Sequence, residues 1–293
     1  MRREFGLFDT LLGWFIHALL LVLVIVTLYP LFYVAFASFS DAGRLVAHRG
    51  FLYAPLGFSL EAYAGVFKNP GILTGYRNTL FILVFGVAVN LIVTALGAYV
   101  LSRKNVLWNN FFMIVIVLTM FFSGGLIPLY LIVKGVGLID SLWSTIIPFA
   151  VNTFNLIIMR TAFQAVPDSL EESAKIDGAN HWTILMRIIV PLSMPVIAVM
   201  ILYYAVEKWN GWFYAAIFIK DHKLYPLQLI LREILISNST ESMATDASNA
   251  DRFQIGETIK YATIMVATVP ILCVYPFVQK YFVKGVMVGA LKG

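Results

Sequence analysis

Residues 168–195 read DSLEESAKIDGANHWTILMRIIVPLSMP. This polar, acid-led stretch lies between two long apolar runs, and its reading sets how the rest of the chain is laid out. Pro167 precedes it and restricts Val166 to an extended conformation. Asp168 is placed to cap a helix, with Glu171 three residues on to complete a capping-box-like pair. Glu171 and Glu172 fall in the first turn, where the helix dipole favours carboxylates by about 0.3–1 kcal/mol each. The pattern predicts a short helix from Ser169 to about Asp177. Gly178 stops it, because glycine enters the left-handed conformation without a Cβ penalty. Asn180 then caps a second helix, in which WTILMRIIV feeds into the next apolar run, with Pro191 and Pro195 at the entry. On shape alone two readings stand. One is an interfacial helical hairpin that only links two spans; the other is a knob inserted into a partner's groove, with Glu172 available for a charged contact.

The surroundings of this stretch are greasy. The chain has 293 residues, 60% hydrophobic and 13% charged, with mean hydropathy +0.84. Soluble domains have about 45–50% apolar and about 25% charged residues, so this is an all-α integral membrane protein, read as one membrane domain over 1–293. The net charge of +5 and pI near 9.2 fit basic residues that hold loops on the cytoplasmic side, and imply no nucleic acid. Cys273 is the single cysteine, which excludes an internal disulfide and a cysteine metal cluster. His17, His48, His181 and His222 have no metal-ligand spacing. Arg2 and Arg3 ahead of an apolar run suggest a secretory signal, but the run from Gly13 to Phe39 exceeds the about 7–15 residues of a signal core. A retained anchor is expected.

About 20 apolar residues cross a hydrocarbon core. Six segments qualify: 12–38, 79–101, 110–133, 142–163, 189–219 and 260–282. The first and fifth exceed that length, and bends are expected at Pro30 and Gly211. With the N-terminus inside, ten of the 21 Lys and Arg lie in the cytoplasm, a tie in raw count. The inside ones sit on short segments near span ends, where the rule applies best, and most outside ones sit in the longer loops 40–76 and 220–259. This places both termini and the segment 166–190 in the cytoplasm.

The span interiors carry a useful absence. Spans two, three, four and six hold no Asp, Glu, Lys, Arg or His at mid-depth, whereas proton- or sodium-coupled carriers place such groups there. The pair Glu207–Lys208, beside Trp209 and Asn210 near the outer end of span five, is either an interfacial ion pair next to an aromatic belt or part of a translocation path. The chain has no Gly-Lys dipeptide, so no phosphate-cradling loop, and no HExxH or G-x-S-x-G motif. Nothing in it reads as an enzyme, and the energy for transport is expected to come from elsewhere.

The stretch from Glu172 to Pro191 resembles the EAA loop of ABC-importer membrane subunits, E-A-A-x3-G-x9-I-x-L-P. Glu172, Ser173, Ala174, Gly178, Ile188 and Pro191 fall on it, with Ser173 in place of the first alanine and Val190 in place of leucine. Asp177, Gly178 and Ala179 further resemble the sugar-importing branch. The elements SLEAYAGVF, YRNTL, KWNGWFYA and VKGVMVGALKG look like the maltose-type carbohydrate permease family. YPLQLILREIL looks like a subgroup that imports oligo- and polysaccharides, including alginate or pectin fragments.

The resemblance implies the permease fold of type I ABC importers in a bacterial cytoplasmic (inner) membrane. It implies a second homologous permease subunit, two ATP-binding subunits that hold ATP and Mg, an extracytoplasmic solute-binding protein, and a carbohydrate cargo. No cofactor or metal is implied in this chain. Glu172 would anchor the loop to an ATPase subunit, Ser173 and Ala174 would allow close approach, and Gly178 would set the turn. Loop 220–259, whose stretch ISNSTESMATDASNAD reads as a flexible linker, would reach into the docked binding protein. A self-contained secondary carrier or channel is the competing reading.

Overall fold

A computed structural model describes residues 7–243, 256–273 and 276. The described residues form helices joined by turns and loops, with one isolated bridge between Ser40 and Phe58. They divide into two compact units, one of residues 1–69 and 231–269, the other of 70–230 and 270–293.

The first unit is built on the helix Leu7–Ser38. Its apolar segment Leu11–Ser38 runs 28 residues with none of its core window buried, about 42 Å at 1.5 Å per residue. Pro30 lies inside it without ending it. Such a helix has no apolar core of its own to face, so lipid or another protein must cover it. Its C-terminal end is pinned: Ser38 and Tyr63 share a hydroxyl bond at 2.8 Å, and Ala37 packs with Leu45 and Leu52. Tyr261, in the helical run 256–273, meets the edge of Tyr33. The rest of the expected span 260–282 lies outside the described residues, save residue 276.

The second unit is centred on the 33-residue helix Pro70–Ser102. It packs against Thr153–Gln164 and Met194–Asn210. Their shared core includes Ala98, Leu156, Met159, Phe163, Ile184, Ile189 and Met200. Polar groups on this helix bond to partners on other elements across the core. Thr94 and Tyr204 hydroxyls lie 2.7 Å apart, and the Asn90 amide donates to the Phe149 carbonyl at 2.8 Å.

Three expected spans are not single helices. Span three breaks into Asn109–Phe121 and Leu126–Gly135, which turn through 113°. The break falls at FSGG, where Gly125 sits at φ +83°, open only to glycine without strain. Span four is a tight-wound stretch Leu142–Phe149 followed by Thr153–Gln164 at 51°, with Asn152 capping the second piece. Span five does not continue straight from the polar segment. The helix His181–Leu192 turns through 85° into Met194–Asn210. Pro195 supplies no N–H and so suits the first turn of a new helix. That helix ends at Gly211, and a short one, Phe213–Phe218, follows.

The segment 220–259 departs from a simple linker. Leu227–Met243 is helical, with Leu227, Leu229 and Ile230 buried. It is seated by the Thr79 hydroxyl, which accepts from the Leu227 N–H at 2.8 Å. The Asn78 amide adds bonds to the carbonyls of Lys223 and Tyr225. Residues 244–255, which hold the second half of the expected linker, lie outside the described residues.

Candidate functional site

The polar segment folds as helix, turn, helix. The first helix is Asp168–Ile176, one residue earlier than the sequence pattern predicts, with Pro167 as its cap residue. Asp168 is therefore inside the helix rather than capping it, and its carboxylate takes a bond from Lys104 at 2.6 Å. That bond holds the Asp168 carboxyl below its ordinary value. The capping box with Glu171 does not form.

Gly178 makes the turn at φ +82°. Its N–H reaches the Lys175 carbonyl at 3.0 Å and the Ala179 N–H reaches the Ala174 carbonyl at 2.9 Å. This pair of bonds is the Schellman stop, which needs a left-handed residue at the position of Gly178. Asn180 then caps the second helix, accepting from the Thr183 N–H at 2.8 Å.

Glu171, not Glu172, is the internally held acid. Its carboxylate takes a bond from Arg103 and another from Lys175 at 2.9 Å, the latter one helical turn away. Arg103 also donates to the Phe163 carbonyl at 2.9 Å and to the Ser102 hydroxyl at 3.0 Å, with its guanidinium 5.2 Å from the Tyr99 ring centre. Both charged side chains are about nine-tenths buried. The second helix is tied to the same place, since the Tyr99 hydroxyl and His181 Nδ1 lie 3.0 Å apart. The end of the long central helix thus grips both arms of the polar hairpin.

The outer face of the hairpin is left open. Glu172, Ser173, Asp177 and Pro191 are exposed, and Ile188 is half-buried. Ala174 and Ala179 pack on the core. Ile176 is 87% exposed and Trp182 58%, large apolar side chains that a solvated loop has no reason to present. A polar hollow of about 260 Å³, lined by Arg103, Lys104, Asp168, Glu171, Glu172 and Lys175, adjoins this face.

The other predicted group separates. Lys208 is buried; Glu207 and Asn210 are exposed, and all three line a cavity of about 200 Å³. Trp209 is buried beside the Tyr76 ring, its indole N–H without an acceptor among the described residues, and it does not line that cavity. The sequence reading missed Arg103, Glu171 and Lys175 as a cluster. Its only signal was a basic pair and an acid-led helix 68 residues apart, and no periodicity connects those.

The chain is similar to known proteins in both sequence and fold. The family model described as binding-protein-dependent transport system inner membrane component matches residues 91–288. The chain is 42% identical over 287 residues to the polygalacturonan/rhamnogalacturonan transport system permease protein YtcP of Bacillus subtilis (strain 168), covering 98% of this chain and 99% of that one. It is 44% identical over 269 residues to protein LplC of the same organism, covering 92% and 90%. Among solved structures it matches a chain from a bacterial ABC transporter involved in the import of the acidic polysaccharide alginate. The TM-score there is 0.86 at 33% identity, covering 95% of this chain and 99% of that one.

Proposed function

Because the chain belongs to the family of binding-protein-dependent transport system inner membrane components, we propose that it is one of two permease subunits of an ABC importer for acidic oligo- or polysaccharide fragments. The observation that carries the reading is the clamped hairpin 167–192. A rigid, glycine-angled helix is held by Arg103 to the end of the central helix while its outer face, with Ile176, Trp182 and Glu172, stays open. An ATPase subunit is the occupant that this face fits. Movement of the hairpin there is passed directly into Pro70–Ser102, since the two are joined by a buried ion pair rather than by a loop.

In this reading both termini and the hairpin are cytoplasmic. Two ATP-binding subunits hold ATP and Mg²⁺, because this chain lacks a Gly-Lys dipeptide from which a phosphate-cradling loop could be made. A second homologous permease covers much of the exposed apolar surface, and an extracytoplasmic binding protein delivers cargo. The cargo class is supported by the relatives, which are a polygalacturonan/rhamnogalacturonan permease and a subunit of an alginate importer.

The test is reconstitution of the chain with its partner permease, ATPases and binding protein in vesicles. Oligogalacturonate or oligoalginate is expected to stimulate ATP hydrolysis only when the binding protein is present. Cargo uptake by this chain alone, without ATP, would establish the self-contained carrier instead.

A further inference from the structure

The Lys208 ammonium is hard to explain as a structural group. Its side chain is 5% exposed, in a helix of a membrane protein, where a buried cation is costly unless well paired. An ammonium has three N–H donors. One reaches the Thr145 carbonyl at 3.3 Å. The Glu207 carboxylate stands 3.8 Å away, too far for a hydrogen bond, and is itself 44% exposed. The Phe149 ring centre lies 5.7 Å off. Among the described residues, its charge and donors are therefore incompletely met.

The group is also held in place. A Cβ on Gly86 would come within 3.2 Å of Lys208 Cε and 3.3 Å of Cδ, so the glycine lets the stem pack tightly against Pro70–Ser102 and fixes the ammonium at the cavity. The remaining wall is aromatic: Phe149, Trp212, Phe213 and Tyr214 line the same space, with Phe149 and Tyr214 ring centres 4.3 Å apart. At about 200 Å³ it is smaller than the roughly 300–1,000 Å³ of sites for drug-sized ligands. It suits a single ring, not a chain.

We infer that Lys208 is the carboxylate-reading residue of a one-sugar subsite on the translocation path, taking a uronate ring against the Phe149–Tyr214 wall. This rests on the proposed acidic cargo. The cargo carboxylate takes the place next to Lys208 that Glu207 fills only loosely, and Glu207 is exposed enough to swing aside. A fixed cation beside a flat aromatic wall distinguishes a uronate from a neutral hexose by one charge-assisted bond, which corresponds to about tenfold in selectivity.

The experiment uses the complete reconstituted importer, with digalacturonate and its dimethyl ester as probes that share one sugar backbone, the ester lacking the two charges and carrying two added methyl groups. Wild type is expected to take up the acid in preference to the ester. Lys208→Met should lower the acid-to-ester uptake ratio about tenfold, and Lys208→Arg should retain the preference. An unchanged ratio in Lys208→Met, or equal loss of both probes with no change in ratio, overturns the inference. Uptake of neither probe by wild type overturns the cargo reading itself, and the inference with it.

Discussion

Replacing Glu171 with alanine removes the countercharge from a buried guanidinium. Arg103 keeps its bonds to the Phe163 carbonyl and the Ser102 hydroxyl, but its side chain, 9% exposed, then holds an unbalanced charge. Removing one member of a buried pair costs about 3–5 kcal/mol. Lys175, the third member, is 42% exposed, so solvent reaches one side and the low end, about 3 kcal/mol, applies. At about 1.4 kcal/mol per decade, that shifts the balance between a docked and an undocked hairpin by roughly a hundredfold. Burial pushes the Glu171 carboxyl up, but the bonds from Lys175 and Arg103 outweigh it and leave it below the ordinary 4.5. A depressed carboxylate contributes stability above its unfolded value and loses it as pH falls through the folded one. The clamp is therefore at full strength well above the ordinary carboxyl range and weakens progressively as pH falls through that range and below it.

The assay is parallel measurement of ATP hydrolysis and cargo uptake by the reconstituted importer. Glu171→Ala is expected to assemble with the ATPases, since the exposed face is intact, yet to transport up to about a hundredfold less cargo per ATP. Glu172→Ala, which loses only the electrostatic attraction between this carboxylate and Lys104, should instead weaken assembly. A double-mutant cycle with Arg103→Met should show the two losses overlapping. If Glu171→Ala transports as much cargo per ATP as wild type, or if its loss and that of Arg103→Met simply add, the clamp is not the link.

Gly178→Ala should destabilise the hairpin by about 1–2 kcal/mol through backbone strain alone, because nothing lies within 4 Å of the added Cβ; Gly178→Asn should cost less in thermal unfolding of the purified complex. Asp140, at φ +62°, accepts from the Lys220 and Asp221 N–H groups at 2.8 Å each, and these bonds hold its carboxyl low. Asp140→Ala is therefore expected to lower the melting temperature more than Asp140→Asn, which keeps an acceptor and tolerates positive φ. Gly75→Ala puts a Cβ 2.7 Å from Ile230 Cδ1 and 3.0 Å from the Leu227 Cα. The backbone cannot give way as a side chain can, so a loss of about 1–3 kcal/mol in stability is expected, read as a lower melting temperature with faster proteolysis after Leu227.

The parts of this protein that the sequence determined are those ruled by local physics. Apolar runs of spanning length give a membrane protein because unsatisfied backbone cannot sit in lipid. Gly178 and Asn180 stop and start helices through bonds made within a few residues, and the structure repeats both. The capping role of Asp168 was equally local in appearance, yet Lys104, 64 residues away, takes that carboxylate instead. The same limit hid the clamp, in which Arg103 and Glu171 meet only because two helices are packed side by side.

Tertiary structure also decided which member of the Glu207–Lys208 pair is buried, since that depends on the glycine opposite at position 86. Within the loop expected over 220–259, it made a helix of Leu227–Met243, seated by the Thr79 hydroxyl and the groove beside Gly75. Hydropathy fixes that a segment is apolar, but a bend such as the 85° turn at Ser193 depends on what packs on either side. Burial and charge pairing are properties of contacts between distant residues, and only the folded chain brings those contacts into being.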